Sequence, residues 1–186
     1  MILGLDVSTS TVGYCVLDQN TKRFDRGRVV SIHAIDLTKE KEFWSKVDEL
    51  ERRLSCIRED HGTMDAVIVE EPLMRFAAGM SSASTISTLM RFNGITCHLV
   101  RKTFGVDPTM LSAATARKAC GVRLLSRSKA GSQKDQVFNH MCAADLKDVV
   151  WPRKRGGNVV DWAKDATDAY VIATGHIELN TTPPDV

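Results

Sequence analysis

The stretch ILGLDVSTSTVGYCVLD, Ile2 to Asp18, constrains the fold more than any other part of the chain. Two apolar runs, Ile2–Val7 and Val12–Asp18, flank a short Ser/Thr turn, which is the pattern of two paired strands. Gly13 opens the second run, and one carboxylate, Asp6, lies at the end of the first. Burying an ionised carboxylate in an apolar strand is costly unless a partner or a cation compensates it. Asp6 therefore either caps the turn through Ser8 or Thr9, or it holds something.

The rest of the pattern extends this start. Arg26–His33 reads as a third strand, which makes the first half an antiparallel meander. Phe43, Val47, Leu50, Leu54 and Ile57 keep the spacing of one helical face, predicting a helix from Lys41 to Asp60 that ends at His61-Gly62. Asp65–Glu71 is a short buried strand stopped by Pro72. A helix is expected from Ser81 to Lys102, a strand at Asp107–Leu111, and short helices at Ala113–Cys120 and Ser132–Ala144. A basic, Gly-containing loop, DVVWPRKRGGN, precedes a last helix from Val160 to Leu179. Strands first and helices interleaved later predict an α/β fold, a mixed sheet with helices on both faces. One domain is expected over residues 1–180, with a flexible tail at 181–186.

Composition removes several classes. No apolar run reaches the ~18 residues of a membrane span, and no basic n-region marks a signal peptide; the expectation is a soluble cytoplasmic protein. The five cysteines are scattered without a CxxC pair, which argues against a zinc site or a disulfide framework and predicts four or five buried free thiols. Charge is uneven. Arg101–Arg155 holds twelve basic and four acidic residues, a net +8, so with +2 overall the remainder carries −6. Such asymmetry suits a polyanionic partner, and equally a solvated basic surface.

Acids recur where apolar segments should be buried. Asp6 ends the first strand, Glu70 and Glu71 end the VIVEE strand, and Asp165 and Asp168 lie one turn apart on the last helix. Converging carboxylates repel one another. A divalent cation removes the problem, since carboxylate oxygens are the shell of Mg²⁺ or Mn²⁺. Taken singly, each has a plainer reading: a turn cap for Asp6, a pair with Arg75 for Glu70 or Glu71, a solvated helix face for Asp165 and Asp168.

The order and local patterns of these acids resemble the RuvC family of Holliday-junction resolvases, within the ribonuclease H-like superfamily. LGLDVSTSTVGY is similar to the family's first-strand motif, VIVEEPL to its second acidic strand and KDATDAYVIA to its final DxxDA helix. The resemblance implies a ribonuclease H-like fold, with three antiparallel strands and then parallel ones. It implies a metal-binding tetrad of Asp6, Glu70, Asp165 and Asp168. Strand alternation favours Glu70 over Glu71, and Asp161 is an outside candidate. SQKDQVFNHM resembles a family segment that makes Lys134 a phosphate contact and transition-state stabiliser, and Lys118 stands near another family lysine. The implied activity is Mg²⁺-dependent nicking of four-way DNA junctions by a homodimer, paired through the Ser81–Lys102 helix, leaving a 5′-phosphate and a 3′-hydroxyl. Outside the motifs the chain diverges widely from the bacterial resolvases, in the manner of a phage or otherwise divergent member.

Met74 and Phe76 in PLMRFAAGMSS are candidates to wedge between bases, with Arg75 on phosphate; Phe76 packing beneath the next helix is the alternative. Arg153, Lys154 and Arg155 are candidates to clamp a phosphate from a loop that their neighbouring glycines let move. Two other readings stay open at this level. One is a ribonuclease H-like nuclease acting on RNA or an RNA–DNA hybrid. The other is an actin- or sugar-kinase-like ATP-binding module, since GLDVSTSTVG also resembles a phosphate loop.

Overall fold

In the computed structural model, residues 1–19, 28–72 and 83–181 are described. Five strands, β1 (Ile2–Val7), β2 (Thr11–Asp18), β3 (Arg28–Asp36), β4 (Ala66–Glu70) and β5 (Thr109–Leu111), form one mixed sheet in the order β3-β2-β1-β4-β5. β1–β2 and β2–β3 are antiparallel, while β4 joins β1, and β5 joins β4, in parallel. The expected α/β ribonuclease H-like arrangement, a meander followed by parallel strands, is what forms.

The pleat divides β1 between two cores. Leu3, Leu5 and Val7 join Val67 and Val69 against α1 (Phe43–His61) and α2 (Ala83–Phe104), whose inner faces carry Leu50, Leu54, Phe92 and Val100. Ile2 and Ile68 point the other way, against α6 (Trp162–Thr181), α3 (Ala113–Ala119) and α5 (Gln133–Ala143). α6 packs more closely than bulky residues would permit. A Cβ on Gly4 would run into the Ala169 carbonyl and the Ala173 methyl, and one on Gly13 into the Asp165 carbonyl. A Cβ on Gly175 would meet Ala116 of α3 at 2.8 Å. Small residues thus set the height of α6 over the sheet.

Local chemistry ends the elements. Gly62 takes φ 76° and its N–H closes α1 on the Arg58 carbonyl at 2.8 Å. Ser112 and Ser132 cap α3 and α5 by accepting the N–H groups of Thr115 and Asp135. A one-turn helix, α4 (Arg127–Ala130), falls where the sequence pattern shows none, and β3 runs on to Asp36, three residues past the predicted strand. α6 continues through Thr181, the first residue of the expected tail; the rest of that tail lies outside the described residues. All five cysteines are free, but only Cys15 and Cys120 are buried; Cys56, Cys97 and Cys142 are half-buried on helix flanks. No described helix is long and apolar enough to cross a membrane.

Candidate active site

β1 and β4 run in parallel with Leu5 opposite Val69, so the next residues, Asp6 and Glu70, end side by side at one edge of the sheet. Both lie on the face that α6 covers. Gly13 is the antiparallel partner of Asp6, and the backbone of Asp165 rests on it. The missing side chain at Gly13 is what lets the first turn of α6 reach Asp6. One turn on, Asp168 is only 4% exposed. The turn after Asp6 is closed by Ser8, whose hydroxyl accepts the Thr11 N–H at 3.0 Å and donates to the Thr11 carbonyl at 2.7 Å. Asp6 is therefore not needed as a cap.

Cations meet these acids from two helices. Lys134, in the first turn of α5, places its ammonium against Asp165, 3.2 Å from Asp6 and 3.6 Å from Asp168. Capping by Ser132 and an ion pair between Asp135 and Lys164 hold that turn of α5 against α6. Arg117 reaches Asp168 at 3.4 Å, brought in by the Ala116–Gly175 contact beneath it. Asp6, Glu70 and Asp168 line a cleft of about 840 Å³ together with Lys118, Arg123, Leu124 and Gln133.

The carboxylates are under-compensated. Burial, repulsion from Asp6 and a hydrogen bond shared with Asp6 push Glu70 up to about 9. Asp168 is pushed up to about 6 by burial and by Asp6, against the pull of Lys134 and Arg117. Burial also raises Asp165, although Lys134 opposes it. Lys134 is desolvated too, yet Asp6, Asp165 and Asp168 outweigh that cost and hold its proton above the ordinary lysine range.

The sequence-predicted residues separate into four groups. Asp6, Glu70, Asp165, Asp168 and Lys134 come together, and Lys118 lines the same cleft. Glu71 and Asp161 do not join them; Glu71 is exposed, and exposed Asp161 pairs with Lys154 at 2.7 Å. Arg153, Lys154 and Arg155 line no part of this cleft. Their segment forms a short hairpin: Arg153 bridges Val159, the Lys154 N–H reaches the Asn158 carbonyl at 2.8 Å, and Gly157 adopts φ 81°. Met74, Arg75 and Phe76 lie outside the described residues. Arg117 and Arg123 escaped the sequence reading. Nothing in ATARKACG separates Arg117 from Lys118; the contact with Gly175 decides which of them turns to Asp168.

No protein-family model and no curated protein sequence matches the chain. Solved structures do. Thermus thermophilus RuvC in complex with a Holliday junction substrate superposes with a TM-score of 0.65 at 14% identity, over 96% of this chain and 93% of that one. Thermus thermophilus RuvC also matches in a second structure, at 0.61 and 15% identity over 96% and 94%. The yeast mitochondrial Holliday junction resolvase Ydc2 follows at 0.59 and 16%, over 95% of this chain and 77% of that one. With its sheet order, its covering helices and these superpositions together, the chain has the RuvC-like resolvase fold.

Proposed function

We propose that the protein is a metal-dependent endodeoxyribonuclease that nicks branched DNA and resolves four-way junctions by paired, symmetric incisions. The observation that carries this reading is the meeting of four carboxylates, from β1, β4 and α6, around Lys134 beside a cation-lined cleft. The Holliday junction bound to the similarly folded Thermus RuvC makes branched DNA the expected partner.

The residues fit a divalent cation. Asp6, Glu70, Asp165 and Asp168 carry four negative charges when ionised against two positive ones on Lys134 and Arg117, a deficit of two. Burial first, and repulsion from Asp6 second, raise Glu70 and Asp168. All four donors are carboxylates, the oxygen shell of Mg²⁺ and of Mn²⁺. Among the described residues no three acids already stand in a metal-holding arrangement; the Lys134 ammonium sits between them instead. Its flexible stem lets it give way toward the cleft. When bound, the cation supplies Lewis-acid activation of water and neutralises charge at the scissile phosphate, and a second ion does so at the leaving oxygen.

The chain's own groups do the remainder. Arg117 fixes the Asp168 carboxylate, while Lys134 meets the charge that grows on the phosphoryl oxygens. Lys118 and Arg123, on the cleft wall, hold flanking phosphates without reading sequence. A water oxygen bonds to phosphorus as the P–O3′ bond breaks. The water's proton is lost to solvent and the 3′-oxygen takes one up, leaving a 5′-phosphate and a 3′-hydroxyl. A twofold dimer presents two such clefts to a symmetric junction; α2, which exposes Met90, is the proposed contact. The setting proposed is the cytoplasm of a bacterial or phage-infected cell.

The test is cleavage of an end-labelled four-way junction in Mg²⁺ beside linear duplex, a splayed fork and an RNA–DNA hybrid, with Asp6→Asn in parallel. Paired nicks in the junction, reduced at least ~10³-fold in the variant with binding retained, are expected. Cleavage confined to the hybrid would overturn the substrate. No cleavage in Mg²⁺ or Mn²⁺ together with measurable ATP binding would overturn the reading.

A further inference from the structure

The chemistry above uses the acids and cations inside the cleft and leaves the segment that borders it, residues 121–132 between α3 and α5, without a task. The chain turns at Gly121, φ 75°, and the apolar residues that follow divide. Val122 is buried, and Leu124 packs against the core under α6 while lining the cleft. Leu125, the next residue, turns outward and is 59% exposed.

A lone exposed leucine is ordinary on a protein surface. This one differs first in that its backbone is held. The Leu125 N–H donates to Oε1 of Gln136 at 2.8 Å, and Nε2 of Gln136 donates to the Leu125 carbonyl at 3.1 Å and to the Gly131 carbonyl at 3.2 Å. One side chain of α5 thus satisfies three main-chain groups of the segment. The same helix, capped by Ser132, brings Lys134 to the acids. Leu125 is therefore fixed relative to the acidic site, yet its side chain gains no burial from being fixed.

Charge is the second difference. Between Asp107 and Asp135 the sequence holds six basic residues, Arg117, Lys118, Arg123, Arg127, Lys129 and Lys134, and no acid. Asp135 itself is engaged by Lys164. Arg123 precedes Leu125 and Arg127 and Lys129 follow it, all three exposed. An aliphatic side chain held among cations suits a ligand that is anionic outside and apolar within. Stacked nucleic-acid bases between phosphate backbones are that ligand, and leucine is among the side chains able to enter a base step.

We propose that Leu125 is an apolar wedge that enters a base step beside the cleavage point, held in place by Gln136, with Arg123 and Arg127 on the adjoining phosphates. This rests on the nuclease reading and gives it a source of selectivity. Unstacking costs least where pairing is already broken, so the wedge favours a branch point over continuous duplex.

The experiment places 2-aminopurine, which brightens on leaving the stack, singly at each position around the cleavage point of a four-way junction. Ca²⁺ replaces Mg²⁺, and anisotropy follows complex formation separately. Severalfold brightening at one position is expected, lost in Leu125→Ala and in Gln136→Ala and kept in Leu125→Met. In single-turnover cleavage with Mg²⁺, Leu125→Ala should lower the preference for junction over linear duplex by about tenfold. A complex that forms without brightening anywhere, or whose brightening survives Leu125→Ala, overturns the wedge and leaves the nuclease reading standing. Lost brightening accompanied by altered sedimentation of DNA-free Leu125→Ala assigns the side chain to a contact between copies of the chain and overturns the wedge as well. Failure of the unsubstituted protein to bind the junction overturns the nuclease reading itself.

Discussion

The two faces of the sheet are built on alternate residues of the same strand, yet they obey different rules. On one face Leu3, Leu5 and Val7 meet α1 and α2 through large apolar side chains, a packing that depends on volume and tolerates repacking. On the other, Gly4 and Gly13 hold α6 almost against the backbone, and Asp6 follows at the edge. The first face supplies stability. The second gives up buried side-chain volume for the positions of its carboxylates, so its tolerances are set by backbone approach and charge.

Gly13→Ala should break this contrast most severely. Its methyl would collide with the Asp165 carbonyl, which is backbone and cannot rotate away. We expect α6 to shift from Asp6 and cleavage to fall by about 10²-fold, with destabilisation of about 1–3 kcal/mol from overpacking. Single-turnover cleavage beside urea unfolding measures both. Activity at the wild-type level would mean that α6 need not lie so near β1.

Leu54→Ala is the counterpart on the apolar face. Leu54 is wholly buried between α1 and the sheet, so about 2–5 kcal/mol of stability is expected to go. Cleavage per folded molecule should stay within about twofold of wild type. A large loss of rate at full folding would show that the two faces are coupled.

Titration separates the faces more gently. In EDTA, folded Glu70 binds its proton more tightly than the unfolded chain does, at about 9 against an ordinary 4.5, and Asp168 at about 6 against 3.8. Unfolding therefore releases protons between these values, and stability falls as pH rises from about 4 to 9, with the part above about 6 owed to Glu70. Glu70→Gln should flatten that upper part and raise the melting temperature near pH 8.5, while Leu54→Ala keeps the wild-type slope. An unchanged slope in Glu70→Gln would refute the electrostatic account.

Much of this was legible beforehand because periodicity and punctuation are local. Alternation in β1, the helical stripe of α1 and the stop at His61-Gly62 all write tertiary demands into neighbouring residues. The carboxylates stood out for a related reason: an acid inside an apolar run contradicts its surroundings and asks for a cause. Hairpin 153–159 is not legible in the sequence because its glycines are a local signal and its cross-strand hydrogen bonds are not.

By itself, then, the sequence determined the α/β meander, the amphipathic helices and the list of acids, since each follows from the spacing of residues a few positions apart. The tertiary structure alone decided that Asp6 ends beside Glu70, that Arg117 and not its neighbour turns to Asp168, and that Lys154 lines another groove. Those outcomes depend on strand register and on how closely one helix can approach a sheet. Both are set by contacts between residues far apart in the chain, such as Leu5 with Val69 and Gly13 with Asp165, where no local pattern reaches.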